Sequence, residues 1–167
     1  MGTSVYAGVP ITFYMKLLIQ MMLVLCLLVT TVNAKPVLHG KVIKVTDGDT
    51  IVLLVGKISH RIRLSSIDAP ERSQEYGKAS RMALGEFLRG KTVTVLVNGK
   101  DRYRRLLGTV FADDENVNEW MLRNGWAWHY KKYEKSKILA QLESQAKLES
   151  LGLWKGKNPI PPWDFRK

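Results

Sequence analysis

An α+β fold, a small closed β-barrel with a helical flank, is predicted by three observations. Five short runs rich in β-branched residues, mostly alternating apolar and polar, are joined by turn-forming residues. Three other segments change to helical spacing. The 167 residues, 46% hydrophobic and 25% charged, suffice for one domain with a real core and are few for two.

Residues 1–34 read as a segment apart from that fold. Lys16 is followed by an apolar stretch from Leu17 to Val29 and then by Thr30-Thr31-Val32-Asn33-Ala34. A basic residue, an apolar run and small residues before a cut site make a secretory signal, with cleavage expected after Ala34. Met15 is the natural start of that signal, and residues 1–14 are then an upstream extension. The apolar run is shorter than the ~20 residues of a comfortable membrane span, which favours cleavage over a retained anchor. Cys26, the single cysteine, lies inside the run, so the mature chain would have no disulfide. The expected product is secreted or periplasmic, without stable membrane association.

From Lys35 onward, Val37 to Val45 reads as a strand and Asp47-Gly48-Asp49 as a turn. Thr50 to Val55 is the return strand, Gly56-Lys57 a second turn, and Ile58 to Ile67 a third strand, together a meander. Ala79, Met82, Ala83, Leu84, Phe87 and Leu88 fall near helical spacing within 74–89, with Gly90 as the stop. Lys91 to Val97 alternates as a strand again, and Asn98-Gly99 signals a hairpin. The apolar run Leu106 to Phe111 follows. Asn116-Val117-Asn118-Glu119 resembles a capping box that opens a short helix through Leu122, closed by Gly125. A last helix is expected over 134–151, stopped by Gly152. The tail 158–167, with Asn158-Pro159-Ile160-Pro161-Pro162-Trp163, is expected to be neither helix nor central strand and to lie extended on the surface. The domain proper is therefore 35–157. Five strands with helices inserted and appended make a barrel of oligonucleotide-binding type the natural candidate.

Charge narrows the partners. With 26 Lys+Arg against 15 Asp+Glu the chain carries a formal +11, and nearly all of it lies beyond residue 34. Such a bias favours polyanions: nucleic acid, acidic polysaccharide or an anionic membrane surface. Charge alone does not choose among them.

The residues suited to chemistry concentrate in Ile62-Arg63-Leu64-Ser65-Ser66-Ile67-Asp68-Ala69-Pro70-Glu71, where a strand gives way to a rigid turn. Oxygen ligands suit hard cations, so Asp49 and Asp68, from two neighbouring turns, are candidates to hold one. A single Asp-Gly-Asp turn is common and does not by itself mark a metal site. Phosphodiester hydrolysis needs a base for water and cations for the phosphoryl oxygens. Glu71 suits the first role, and Arg63 and Arg105 the second, because a guanidinium fork binds two oxygens at once.

Several of these motifs agree in order and rough spacing with one known family. Val45-Thr46-Asp47-Gly48-Asp49-Thr50, Ile62-Arg63-Leu64, Ile67-Asp68-Ala69-Pro70-Glu71, Asp101-Arg102-Tyr103 with Arg105, Glu143-Ser144-Gln145-Ala146-Lys147 and Gly152-Leu153-Trp154 resemble the staphylococcal (thermonuclease-type) nuclease family over about residues 37–155. The resemblance implies a five-stranded barrel with three helices and calcium-dependent cleavage of DNA and RNA by a monomer. It implies Arg63, Glu71 and Arg105 as catalytic, Asp49 and Asp68 as calcium carboxylates, and the Ala69 backbone carbonyl as a further ligand. Arg102, Tyr103 and Tyr133 match positions near the bound nucleotide. Two departures stand out. Lys131 occupies the place of a second pocket tyrosine, and Arg104 replaces a glycine, either adding attraction for phosphate or disturbing the turn that aims Arg105. The runner-up is a catalytically inactive barrel that binds single strands; the presence of all five acidic and basic site positions ranks the enzyme above it.

Overall fold

The computed structural model describes residues 11–27, 35–132 and 134–167. The chain divides into two compact units, Met1–Ala34 and Lys35–Lys167. The first contains helix α1, Ile11–Leu27. No described helix is long and apolar enough to cross a membrane, and the expected cleavage point at Ala34 lies outside the described residues.

The second unit is built on strands β1 (Val37–Asp47), β2 (Thr50–Val55), β3 (Ile58–Leu64), β5 (Thr92–Lys100) and β6 (Leu106–Ala112). β1 pairs antiparallel with β2 and with β5, β2 with β3, and β5 with β6. Parallel pairing of β3 with β6, from Ile62↔Leu106 to Leu64↔Gly108, closes the ring. Closure removes the free sheet edges that an open meander would expose. The predicted five-stranded barrel is therefore the fold, and its alternating residues fill it. Ile51, Leu53, Ile62, Leu64, Val93, Val95 and Val110 are all completely buried, each contributing roughly 1.5–3 kcal/mol by leaving water.

Short strands β4 (Ile67–Asp68) and β8 (Trp128–His129) pair beside the barrel, and β7 (Glu115–Asn116) pairs antiparallel with the end of β6. The three expected helices are α2 (Gly77–Phe87), α3 (Val117–Arg123) and α4 (Lys137–Leu148). Asn116 caps α3 by accepting from the Asn118 and Glu119 amides, and its side-chain Nδ2 donates to Glu119 Oε1, in place of the backbone N–H that a capping box would use. Ser136 caps α4. Most tryptophans pack: Trp120 stacks on Phe87 at 4.2 Å, and Trp128 meets Trp154 edge-on at 5.2 Å.

Three local readings are corrected. The third strand ends at Leu64, because Ser66 takes a left-handed backbone (φ 66°), while the buried Asn118 amide seizes the Ser65 carbonyl at 2.8 Å. Asn98-Gly99 is not a hairpin turn. β5 runs through it, with a bulge between Val97 and Gly99, and the turn forms later because Asp101 Oδ1 accepts from the Tyr103 and Arg105 amides. The tail is not wholly extended: α5 (Pro162–Phe165) is a helical turn with Pro162 buried. Proline is tolerated at the first helical position, where its missing N–H would have had no partner.

Candidate active site

The β1–β2 turn supplies the first functional carboxylate. A Cβ on Gly48 would lie 2.0 Å from Ser80 Oγ and 2.7 Å from Ala69 Cβ, so only glycine lets this turn seat against α2 and the 67–71 segment. That close approach brings Asp49 Oδ2 to the Ala69 N–H, which donates at 2.9 Å, while Thr50 Oγ1 donates to Oδ1 at 3.0 Å. The tight turn at Ser65-Ser66 folds the chain back around the Arg63 guanidinium. Arg63 Nη1 donates to the carbonyls of Leu64 (2.8 Å) and Ile67 (2.9 Å). Its Nη2 lies 2.8 Å from Asp68 Oδ1 and 3.3 Å from Asp49 Oδ2. One nitrogen is thus shared by two carboxylates that are 1% and 6% exposed as residues. Asp49 and Asp68 converge on that nitrogen, and the Ala69 N–H braces Asp49 from the next residue.

Burial is the larger cause that pushes the Asp68 carboxyl above its usual range; the Arg166 hydrogen bond opposes the rise and the Asp49 charge adds to it. Asp47, at the other side of the turn, is raised to about 6 by burial and then by the Asp49 charge. The site therefore prefers protons at Asp47. Between pH 3.8 and about 6 the folded chain binds more protons there than the unfolded one, so this group's contribution to stability is complete below 3.8 and is lost as pH rises through 6. Asp47→Asn should accordingly be more stable than the parent at pH 7 without calcium, on the order of 1–2 kcal/mol, with the difference closing toward pH 4. Urea unfolding across that range checks it.

Arg105 is aimed from the β5–β6 turn. Asp101 Oδ2 accepts from its Nε at 2.7 Å, and its Nη1 reaches Thr50 Oγ1 at 3.3 Å, next to Asp49. Burial opposes the charge on Asp101, but the Arg105 side-chain and backbone hydrogen bonds outweigh it and hold the carboxyl below its usual range. Arg105 Nη2 has no hydrogen-bonding partner among the described residues, unlike either terminal nitrogen of Arg63. Arg104 sits at φ 64°, the left-handed region that explains a glycine at this place in the family. The turn survives the substitution, with Arg104 N donating to the Asp101 carbonyl at 3.0 Å. A left-handed L-residue costs about 1–2 kcal/mol, and glycine gives back up to ~1 kcal/mol through its unfolded freedom. Arg104→Gly should thus gain roughly 0.5–1 kcal/mol in urea unfolding.

Tyr103 is 62% exposed, and the guanidinium carbons of Arg102 and Arg105 lie 4.8 and 5.7 Å from its ring centre. That leaves an aromatic surface bordered by cations beside Arg105. Tyr133 lies outside the described residues. Lys131, at the place of a second pocket tyrosine, spends its ammonium on the buried Glu143 at 3.1 Å. Glu143 also accepts from the His129 amide and pairs with Lys147, tying β8 to α4.

Glu71 is held through its peptide. Gln74 Oε1 accepts from the Glu71 N–H at 3.0 Å and Gln74 N donates to the Glu71 carbonyl at 2.9 Å. A Cβ on Gly77 would fall 1.8 Å from that carbonyl, so the start of α2 presses directly on it. The Glu71 carboxylate joins the Asp68 cluster through Arg166, whose Nη1 lies 2.6 Å from Glu71 Oε1 and 3.3 Å from Asp68 Oδ1 and whose Nη2 lies 2.7 Å from Asp68 Oδ2. Sequence reasoning did not find Arg166, because nothing in a basic residue near a chain end marks it as reaching a site almost a hundred positions earlier.

The two buried carboxylates suit a hard cation, with a mutual repulsion that positive charge relieves. Among the described residues no group of three or more His, Cys, Asp or Glu side chains is placed to hold a metal ion. A closed barrel whose surface brings together a carboxylate pair, guanidinium forks and a further carboxylate defines a phosphodiester-processing barrel of oligonucleotide-binding type. Residues 61–156 match the family described as staphylococcal nuclease homologue. An uncharacterized endonuclease of Escherichia coli O157:H7 is 45% identical over 130 residues, 77% of this chain and 85% of that protein. One of Haemophilus influenzae is 40% identical over 128 residues, covering 76% and 72%. A staphylococcal-like nuclease of Arabidopsis thaliana is 44% identical over 107 residues, 64% of this chain and 33% of that protein. The chain belongs to the staphylococcal nuclease family and is a nuclease.

Proposed function

We propose that the protein is a calcium-dependent nuclease that hydrolyses DNA and RNA, with Glu71 as general base and Arg63 and Arg105 stabilising the phosphoryl group. The observation that supports this most is the sharing of Arg63 Nη2 between Asp49 and Asp68. It puts two carboxylates at one point, beside the Arg105 fork and within one guanidinium of Glu71. Asp49, Asp68 and the Ala69 carbonyl would hold calcium, which would supply a Lewis acid for a phosphoryl oxygen. Glu71 accepts the proton of the attacking water. Arg105 meets the growing negative charge with its unspent Nη2. Arg63, whose Nη2 contacts both Asp49 and Asp68, would offer that nitrogen to a phosphoryl oxygen if a cation took over those carboxylates. Arg102 and Tyr103 receive the neighbouring phosphate and base.

We also propose that residues 1–34 are a signal removed after Ala34, and that the mature monomer works in the periplasm or outside the cell without stable membrane association. The apolar character of α1 and the division of the chain at residue 34 support this. Digestion of DNA and RNA with calcium, against the same mixtures with chelator, tests the activity. Both polymers should be cut only with calcium; intact substrate in every tube, or equal cutting with chelator, overturns the reading.

A further inference from the structure

The mechanism leaves one group at the site unused. Arg166 occupies both oxygens of Asp68 and one oxygen of Glu71, the two carboxylates assigned to the cation and to the proton. Its position is built by a strap rather than by chance exposure. Gln74, which clasps the Glu71 peptide through Oε1, uses its Nε2 to hold the Ile160 carbonyl at 2.5 Å. Pro162 is buried, and Trp163 packs on Tyr130 with ring centres 5.6 Å apart. The helical turn α5 then carries Arg166 back over Asp68, its own N–H donating to the Pro162 carbonyl at 3.1 Å.

We propose that the C-terminal strap, residues 158–167, is an internal competitor that occupies the active site through Arg166 until a divalent cation displaces it. This rests on the calcium-dependent reading above. A guanidinium on Asp68 blocks oxygens the cation needs, because the positive charge and donor hydrogens already satisfy that carboxylate. The same fork on Glu71 engages the lone pair that must take the water proton. One residue therefore silences binding and chemistry together. Arginine keeps its charge throughout the physiological range, so the strap's own cation is always present to compete. The Arg166 side chain is 42% exposed, against 1% for Asp68, so it can leave for water while the carboxylate stays. The apparent affinity for calcium is reduced by the fraction of chains with the strap released.

Calcium titrations by calorimetry of the protein and of its Arg166→Ala variant, with melting of both in chelator, decide the matter. The expected result is a calcium Kd about tenfold lower in the variant together with a lower melting temperature without metal, since the pair with Asp68 is gone. Arg166→Lys, which keeps the charge but loses the fork, should fall between them. Equal Kd values, or tighter binding by the parent, overturn the strap while leaving the calcium site standing. Absence of calcium binding to either protein overturns the calcium reading and the strap as its competitor.

Discussion

Glu71→Gln lowers the cleavage rate by about 10²–10⁴-fold, the usual value of a general base, while leaving the fold intact. Glutamine keeps the shape of the side chain and can still accept from Arg166, so the loss reports the proton and not the scaffold. The carboxylate side chain is 39% exposed and its peptide is fixed independently by Gln74, so the melting temperature should stay within a degree or two of the parent (about 0.5 kcal/mol or less). KM should move little, because glutamate contacts water rather than phosphate. A rate like the parent's would remove Glu71 from the mechanism.

Arg105→Ala is the second large effect, with an expected loss of about 10²–10³-fold in kcat, the scale of one preorganised donor for developing negative charge. Arg105→Lys should recover only part of it, since a point charge cannot reproduce a fork anchored through Nε on Asp101 and Nη1 on Thr50. Truncation also strips Asp101 of its charge partner. Asp101 still accepts from the Tyr103 and Arg105 amides, so the turn persists and the loss falls mainly on the chemical step. Single-turnover kinetics with saturating calcium separates that step from binding.

Much of the barrel was legible because its runs alternate where one face is buried: Ile62 and Leu64 lie in the core, and Arg63 between them reaches the site. The site was legible in part for a different reason. Asp49, Asp68 and Glu71 sit at strand ends and turns, where local sequence betrays an interruption of the pattern. What escaped depends on contacts distant in the chain. Asn98-Gly99 has the composition of a hairpin turn, yet the turn goes where Asp101 can bond two amides, leaving Gly99 as a bulge. The break at Ser65-Ser66 owes its hold to Asn118, more than fifty residues later. The proline-rich tail gives no periodic signal, and its single helical turn exists because Pro162 finds a buried seat and Trp163 a partner in Tyr130. The left-handed Arg104 shows that a pattern's glycine can be replaced when the capping carboxylate of Asp101 holds the turn closed.

The most direct measurement is a crystal structure of the protein with calcium and a non-cleavable dinucleotide. The metal is predicted between Asp49 and Asp68 with the Ala69 carbonyl turned to it, the phosphate facing Arg63 and Arg105, and a water bridging Glu71 to the phosphorus. Calcium bound elsewhere, or a phosphate seated away from both guanidinium groups with Glu71 pointing into solvent, would contradict a single site for metal, proton acceptor and phosphate.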